Sequence, residues 1–299
     1  MKRALVALTT VLSPLLLAPA PAHAASGSFS VLTYNVAGLP GIISSAEVDR
    51  QTAHTAIGQR LSPYDVVHVQ EDFNYHAYLY AADTTHAHRT PTSGGAGIGS
   101  GLNSLSKLAY DTDDFERGDW DSCQLDSGDC LTPKGFTFAR HRLADGVYVD
   151  FYNLHTNAGT SDGDQQSRAA NLNQLTAFIA THSAGNAVVV MGDTNTRYTR
   201  TADTIRDFVS ANGLTDAWVR VERAGTPPAA GSDALLCDAA AVTDTCEVVD
   251  KILYRGSRFV TLTAPSTEWC TTCGPAPSTG RCRSRRRDGR RARSGPRCR

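Results

Sequence analysis

The sequence has few of the features that mark membrane-anchored or repetitive proteins. Its one long apolar run, residues 4–17, is interrupted by Pro14 and is shorter than the roughly 20 residues that a transmembrane helix needs. No later apolar stretch is long enough to span a bilayer, and no segment recurs along the chain as it would in a solenoid. We therefore expect no membrane anchor. The 41% hydrophobic content is enough for one large globular domain or two small ones.

The N-terminal residues are typical of a secretory signal peptide. Lys2 and Arg3 precede the apolar run, and Ala22-His23-Ala24 matches the small-residue pattern of a cleavage site. We predict a signal peptide over residues 1–24 and a mature protein that is secreted to the extracellular space.

Secretion would allow the eight cysteines to form disulfides. Cys123 and Cys130 flank one polar loop, and Cys237 and Cys246 flank another, so each pair could form a local disulfide. The spacing alone does not fix the connectivity. The other four cysteines lie in a C-terminal segment of different composition, at Cys270, Cys273, Cys282 and Cys298.

The small net charge of −1 conceals two opposite regions. Residues 281–299 carry ten Arg and one Asp, which leaves 19 basic and 29 acidic residues in the rest of the chain. An acidic body is a poor electrostatic partner for polyanions unless a local basic patch or bound cations intervene.

Hydrophobic periodicity predicts interleaved strands and helices. Strands are predicted over residues 29–34, 65–70, 136–141, 147–154, 187–190, 248–254 and 259–263. Helices are predicted over residues 45–60 (capped by Ser45), 167–183 and 201–212, and most of residues 83–133 is predicted as loops. Because the elements interleave while residues 136–154 form an antiparallel hairpin, we predict a mixed-sheet α/β domain with two packed sheets.

One stretch, residues 187–197, organises the remaining observations. The apolar run over residues 187–190 is typical of a strand buried on both faces, and Gly192 lets the backbone turn tightly or approach a ligand. Asp193 and Asn195 follow two residues apart, so an extended path points both side chains the same way. This pair could hold a hard cation and an oxyanion, or it could simply form an Asx-rich turn.

Polar side chains recur at the ends of the predicted strands, which is how an α/β scaffold builds a site. They are Asn35, Glu71, His155, Asp193 with Asn195, and Asp250. Two carboxylates, Glu71 and Asp193, could share Mg²⁺, a cation that takes few protein ligands and binds phosphate oxygens.

Each of these residues also has a structural interpretation. His155 could be a buried, hydrogen-bonded histidine, and Glu71 could be a surface carboxylate at a strand end. His86 and His88 could suggest zinc, but in a Thr/Ala/His loop we expect a solvated pair.

Five ordered motifs resemble those of the endonuclease/exonuclease/phosphatase superfamily, which includes DNase I, abasic-site endonucleases, inositol-phosphate phosphatases and neutral sphingomyelinases. The motifs are Thr33-Tyr34-Asn35, Val69-Gln70-Glu71, Asn153-Leu154-His155-Thr156, Gly192-Asp193-Thr194-Asn195 and Val249-Asp250-Lys251-Ile252. The resemblance covers roughly residues 28–263. It implies a four-layer sandwich of two packed mixed β-sheets flanked by helices, with a Mg²⁺-dependent phosphoesterase site.

The resemblance also implies a role for each site residue. Glu71 corresponds to the metal ligand, and Asn35 to the neighbour that assists the metal and the phosphate. His155 corresponds to the histidine that hydrogen-bonds or protonates around the phosphate. Asp193 corresponds to the residue that orients the attacking water, and Asn195 to a residue that stabilises the phosphorane oxygens.

A further segment, Asp129-Cys130-Leu131-Thr132-Pro133-Lys134-Gly135, resembles the corresponding segment of secreted bacterial sphingomyelinases. There Lys134 is expected to contact the phosphate, because an ammonium group pairs well with phosphate oxygens. Alternatively, Lys134 is a charge that flanks the hairpin.

The C-terminal part departs from the family. Members end with a Ser-Asp-His motif whose histidine pairs with the aspartate at the position of Asp250, whereas no histidine follows His182 here. The segment from about residue 270 could be a zinc site, a nucleic-acid-binding tail or, as we favour, text translated from another reading frame. We expect residues 25–269 to form the domain, residues 270–299 to be a disordered tail, and Asp250 to lack its partner.

The sequence therefore predicts a secreted, monomeric, Mg²⁺-dependent phosphodiesterase without a stable protein partner. A phospholipid headgroup is the favoured substrate, because the body is acidic and the Lys134 segment resembles sphingomyelinases. The alternatives are a DNase I-like nuclease and a catalytically impaired relative that binds phosphorylated ligands.

Overall fold

Two β-sheets pack face to face in the computed structural model, which describes residues 26–40, 48–94, 98–125, 128–238 and 242–267. The predicted signal peptide, the predicted tail and the predicted cap Ser45 lie outside the described residues.

The smaller sheet has four strands in the order β1-β2-β4-β3. They are β1 (Val31–Asn35), β2 (Val66–Gln70), β3 (His88–Arg89) and β4 (Asn103–Ser106). β1 and β2 run parallel, and the other two pairs are antiparallel. Helices α1 (Arg50–Gly58) and α2 (His76–Ala82) cover its outer face, where Ile57 and Leu79 pack with Val67 and Val69.

The larger sheet has six strands in the order β5-β6-β7-β8-β10-β9. They are β5 (Glu116–Asp119), β6 (Gly135–Ala144), β7 (Val147–His155), β8 (Val188–Asp193), β9 (Thr215–Asp216) and β10 (Asp250–Arg255). Only β7 and β8 pair in parallel, and the predicted hairpin over residues 136–154 is β6–β7. Helices α3 (Asp162–His182), α4 (Ile205–Ala211) and α5 (Ala217–Glu222) lie on its outer face.

The position of β8 in the middle of the sandwich explains why residues 188–191 are all apolar. Val188 and Val190 pack towards the helices, whereas Val189 and Met191 pack in the core between the sheets. Successive side chains of a strand point to opposite faces, so a strand in the middle of four layers needs both faces apolar. The predicted four-layer sandwich of two mixed sheets flanked by helices is confirmed.

Helix α3 begins five residues before its predicted start. Ser161 accepts a hydrogen bond from the Asp164 backbone N–H, and the Asp164 carboxylate accepts one from the Ser161 N–H, so the two residues form a capping box. This cap stabilises a first turn that carries no apolar residue, which is why hydrophobic periodicity placed the start later.

Several other predictions need correction. Residues 259–263 form no strand, although Val260 and Leu262 still pack against the core between the sheets. The polar region over residues 83–133 contains three short strands, β3, β4 and β5, as well as loops. α1 begins at Arg50, where Asp49 caps it by accepting from the Thr52 N–H at 2.8 Å.

Both local disulfides are present, with Cα–Cα distances of 5.4 Å for Cys123–Cys130 and 5.7 Å for Cys237–Cys246. Among the described residues, no helix is long and apolar enough to cross a membrane.

Candidate active site

The polar residues predicted at the strand ends converge at one edge of the sandwich. Asn35 ends β1, and Glu71 directly follows β2, so the parallel pair delivers both to the same edge. His155 and Asp193 are register partners at the ends of the parallel strands β7 and β8. Asp250 begins β10, which runs antiparallel to β8, and is therefore also a register partner of Asp193.

The Asn35 side chain joins the two sheets at this edge. Its Nδ2 donates to Glu71 Oε1 at 2.9 Å and to Asp193 Oδ2 at 3.1 Å. Its Oδ1 accepts from the Ala37 N–H at 3.0 Å and so faces away from the carboxylates. In this arrangement Asn35 holds two carboxylates from different sheets side by side.

The backbone of Glu71 is fixed in an uncommon conformation. Its φ is +56°, in the left-handed region that costs a non-glycine residue free energy. The Glu71 carbonyl accepts from the Gly38 N–H at 2.9 Å and from the Phe73 N–H at 3.0 Å. A Cβ at Gly38 would lie 2.3 Å from this carbonyl oxygen, so only glycine permits the approach. The close packing therefore sets the direction of the Glu71 carboxylate.

Asp193 and Asn195 form a tight turn after β8. The Asn195 N–H donates to Asp193 Oδ1 at 3.0 Å, and Asn195 itself has a φ of +49°. Its Nδ2 donates to the Thr156 carbonyl at 3.1 Å, which connects this turn to the loop after β7. The sequence predicted that the two side chains would point the same way from an extended path, whereas the left-handed residue makes the path a turn.

His155 is buried beside Asp193. Its Nε2 lies 3.7 Å from Asp193 Oδ2, and its Nδ1 has no hydrogen-bond partner within the described residues. Its backbone carbonyl accepts from Trp120 Nε1 at 2.7 Å. Burial, and then the positive charge of Lys134, lower the pKa of His155 below its usual range. Burial and the Lys134 charge therefore favour the neutral imidazole.

Lys134 lies next to the loop that follows His155, but it is already paired. Its ammonium group forms an ion pair with Asp129 and lies 3.5 Å from the Thr156 carbonyl. The other carboxylate oxygen of Asp129, Oδ2, accepts from the Ala158 N–H at 2.6 Å. Lys134 also borders a cavity of about 130 Å³ lined by Trp120, Asp129 and Asn157, among others.

Asp250 is the least satisfied member of the site. Its Oδ1 is buried and has no hydrogen-bond partner in the part of the chain that the structure describes. Burial, and then the neighbouring charge of Asp193, raise the pKa of Asp250 to about 8. The expectation that Asp250 lacks its partner histidine stays a prediction, because the C-terminal segment lies outside the described residues.

The described residues contain no cluster of three or more His, Cys, Asp or Glu side chains that could hold a metal ion by themselves. Glu71 and Asp193 together offer two carboxylates, which fits Mg²⁺ but not a zinc site closed by protein ligands. His86 is not part of a metal site, because its Nδ1 pairs with Asp83 Oδ1 at 2.9 Å and its Nε2 with the Tyr64 carbonyl at 3.0 Å.

Several residues that hold the site in place were not predicted from the sequence. Asp129 partners Lys134, Trp120 binds the His155 carbonyl, and Arg168 and Asp203 connect the loops. Only Arg168 left a signal in the sequence, since Asp164, Arg168 and Asn171 recur at helical spacing and share one face of α3.

The four-layer sandwich with polar residues at its strand ends is the DNase I-like architecture. The chain belongs to the family described as Endonuclease/Exonuclease/phosphatase family 2, whose profile matches residues 40–220. This match includes Glu71, Lys134, His155, Asp193 and Asn195.

Individual relatives are sphingomyelinases. Sphingomyelinase from Mycobacterium tuberculosis is 41% identical over 252 residues, which is 82% of this chain and 49% of the relative. The chain thus spans about half the length of the curated relatives it matches.

Solved structures share the fold at low sequence identity. Sphingomyelinase C from Streptomyces griseocarneus has a TM-score of 0.57 at 18% identity, covering 80% of this chain and 87% of that one. A mutant of beta toxin from Staphylococcus aureus with bound magnesium ions has a TM-score of 0.59 at 16% identity, covering 79% and 86%.

Proposed function

We propose that this chain is a secreted, Mg²⁺-dependent phosphodiesterase that hydrolyses a phospholipid headgroup of the sphingomyelin type. The observation that carries the proposal is the Asn35 side chain, which holds Glu71 and Asp193 side by side at 2.9 and 3.1 Å. The identity to mycobacterial sphingomyelinases over 82% of the chain supports the substrate class. The two disulfides and the predicted signal peptide support secretion.

The residues at the strand ends fit Mg²⁺. This ion binds through one or two carboxylates and retains several waters, so Glu71 with Asp193 is a sufficient protein contribution. When bound, Mg²⁺ would neutralise charge on the phosphodiester and favour ionisation of a nucleophilic water. The beta toxin mutant with bound magnesium supports this choice of ion by similarity of fold.

The chain's own residues then divide the chemistry. The Asp193 carboxylate accepts a hydrogen bond from the attacking water and orients it towards phosphorus. The amide of Asn195 and the neutral imidazole of His155 donate towards the oxygens on which negative charge develops. Water adds to phosphorus while the bond to the lipid oxygen breaks, and the products are a phosphomonoester and an alcohol.

Lys134 acts next to this centre. The carboxylate of Asp129 offsets part of the positive charge of Lys134. The remaining charge is close enough to His155 to lower its pKa. We propose that a phosphate oxygen approaches Lys134 without displacing Asp129, since an ammonium group has three donors. We further propose that residues 25–269 form one domain, which the family match over residues 40–220 supports.

One observation favours a second candidate, a relative that binds phosphorylated ligands with little turnover. The proton of the attacking water needs a base, and Oδ1 of Asp250 is buried without a partner among the described residues. A carboxyl group whose pKa is raised to about 8 is mostly protonated at neutral pH and is then a donor rather than a base.

Phosphocholine release from sphingomyelin vesicles tests the proposal, with plasmid cleavage measured in parallel. Each reaction is run with Mg²⁺ and with EDTA. We expect release that requires Mg²⁺ and no plasmid cleavage. Plasmid cleavage alone would favour the nuclease, and binding of phosphocholine without turnover would favour the second candidate.

A further inference from the structure

Among the described residues, Arg168 is the largest of the fully buried side chains. It lies in α3, and only 1% of it is exposed. A buried guanidinium group is costly unless its donors are satisfied, so its partners indicate what the burial serves.

One side of the guanidinium holds the loop that follows His155. Its Nη1 donates to the carbonyls of Asn157 and Gly159 at 3.0 Å each, and to that of Ala158 at 3.3 Å. Three consecutive carbonyls thus face one nitrogen, and the loop cannot shift without losing them together.

The other side holds Asp203, which lies beyond β8. Arg168 Nε and Nη2 donate to Asp203 Oδ1 at 3.0 and 2.7 Å. The second oxygen, Oδ2, accepts from the Arg197 N–H at 2.8 Å and from Arg200 Nη1 at 3.1 Å. Asp203 therefore fixes the segment that follows Asn195.

The two loops also meet at the candidate active site. Arg200 Nη1 donates to the Asn195 carbonyl at 2.9 Å, and Asn195 Nδ2 donates to the Thr156 carbonyl at 3.1 Å. Asn195 has a left-handed backbone, which persists only when its surroundings over-determine it. The Arg168–Asp203 pair constrains the Asn195 backbone through the hydrogen bonds of Asp203 to Arg197 and Arg200.

We propose that Arg168, through Asp203, is a positioning residue that sets the distance between His155, at the end of β7, and Asn195, on the loop after β8. The guanidinium is required because its planar fork spans two partners, whereas an ammonium group is a point charge. The catalytic part of this inference rests on the proposed phosphodiesterase activity.

A second Arg–Asp pair, between β6 and β7, provides a control. Arg140 Nε and Nη2 donate to Asp150 at 2.7 and 3.3 Å, and Nη2 also donates to the His182 carbonyl at 3.2 Å. Asp150 lies near the beginning of β7, whereas His155 ends it. A purely structural role for Arg168 predicts that Arg168→Lys and Arg140→Lys behave alike.

Amide hydrogen exchange of the full-length protein tests the geometry without any substrate. In Arg168→Lys, we expect amides of residues 155–159 and of residues 193–200 to exchange about 10-fold faster, the factor expected for losing a charge-assisted hydrogen bond. In Arg140→Lys, both segments should exchange as in the wild type. Faster exchange of residues 155–159 alone would refute the coupling.

Kinetics tests the consequence for catalysis. We expect kcat of Arg168→Lys, per folded protein, to fall about 10- to 100-fold while KM changes little, because small displacements of catalytic groups are costly. kcat of Arg140→Lys should stay within about twofold of wild type, since the change lies far from the reacting groups. If kcat of Arg168→Lys is also within that range, the positioning role is wrong.

Asp203→Asn replaces Arg168→Lys if the latter does not fold. The variant retains one oxygen acceptor for Arg168, but its amide NH₂ group then faces the Arg197 N–H. Faster exchange is therefore expected in residues 193–200 and not in residues 155–159. Unchanged exchange in both segments would contradict the proposal. If the wild type hydrolyses no phosphodiester, the proposed function fails, while the exchange results still decide the positioning role.

Discussion

The two ends of strand β7 lie in very different environments. Near its beginning, the buried Asp150 carboxylate accepts from four donor atoms, which are Arg140 Nε, Arg140 Nη2, Ser183 Oγ and Asn186 Nδ2. At its other end, His155 Nδ1 is buried without a partner in the described part of the chain, and so is the nearby Asp250 Oδ1.

The hydrogen-bonded groups at the Asp150 end stabilise the fold, whereas the unpaired groups at the His155 end are candidates for binding a ligand. Buried polar groups are normally hydrogen-bonded, and the exceptions need an explanation. The site end also contains three left-handed non-glycine residues, Ala37, Glu71 and Asn195. Unsatisfied groups and strained backbone at the site end, with a fully hydrogen-bonded Asp150 carboxylate at the other, are expected where a fold holds a reactive site. Near Asp150, His141 Nε2 is also buried without a partner among the described residues.

The largest expected effect comes from Asp193→Asn at the site end. Replacing the carboxylate removes the acceptor for the attacking water and one candidate Mg²⁺ ligand, so kcat should fall about 100- to 1000-fold. The free energy of unfolding should not decrease, because the negative charge of Asp193 opposes ionisation of the buried Asp250. Steady-state kinetics and urea unfolding measure the two quantities, and a less stable but active variant would contradict the division.

Asp150→Asn should show the opposite pattern at the other end. The substitution leaves the Arg140 guanidinium without a carboxylate. It also places an amide NH₂ group opposite the donors of Ser183 and Asn186, and the free energy of unfolding should fall by about 3 kcal/mol. kcat per folded molecule should equal that of the wild type. A loss of kcat at full folding would show that the two ends are not separate.

Removing the Cys123–Cys130 disulfide tests a covalent support beside the site. The double variant Cys123→Ser/Cys130→Ser should lose about 2 kcal/mol of stability, since the closed loop is short. The corresponding variant of Cys237–Cys246 is the control for an effect of loop closure alone. Peptide mapping without reduction should recover both local linkages, and a cross-linked pair would refute the assignment.

The middle of the sandwich should determine its sensitivity to acid. Burial lowers the pKa of His141 to about 4 and that of His68 to about 3. The unfolded chain therefore binds protons more readily than the fold below about pH 6.5, and stability falls as the pH drops from there towards the folded pKa values.

His141→Phe should reduce this sensitivity. The difference in unfolding free energy between pH 7 and pH 5 should shrink by about 2 kcal/mol, which is the contribution of one histidine with these pKa values. Urea titrations at both pH values measure it, and the partly exposed His182→Gln serves as the control. An unchanged difference would mean that His141 does not carry the acid sensitivity.

Much of the site could be predicted from sequence because its residues directly follow short apolar strands. Gly192-Asp193-Thr194-Asn195 after a doubly buried strand is a local signal, and the order of the motifs indicated the family. The bridge made by Asn35 could not be predicted, because it depends on how the two sheets pack, and register between sheets leaves no trace in local periodicity.

The errors have similarly local causes. Helix α3 started earlier because a capping box, not hydrophobicity, sets its first turn. Residues 259–263 are β-branched and apolar enough to suggest a strand, yet they form none, and only Val260 and Leu262 pack against the core. Asp129, the partner of Lys134, begins a short 3₁₀ helix inside the loop closed by the Cys123–Cys130 disulfide, where the sequence pattern gave no direction for its side chain.

Calorimetric titration of Mg²⁺ into the wild type and Glu71→Gln tests the central claim, that carboxylates of both sheets share one ion at this edge. The substitution preserves the shape of the side chain and an acceptor for Asn35 but removes the charge. We expect one Mg²⁺ to bind the wild type and binding to be at least about 10-fold weaker in Glu71→Gln, because one of two carboxylate ligands is lost. Equal affinity in the two proteins would contradict it.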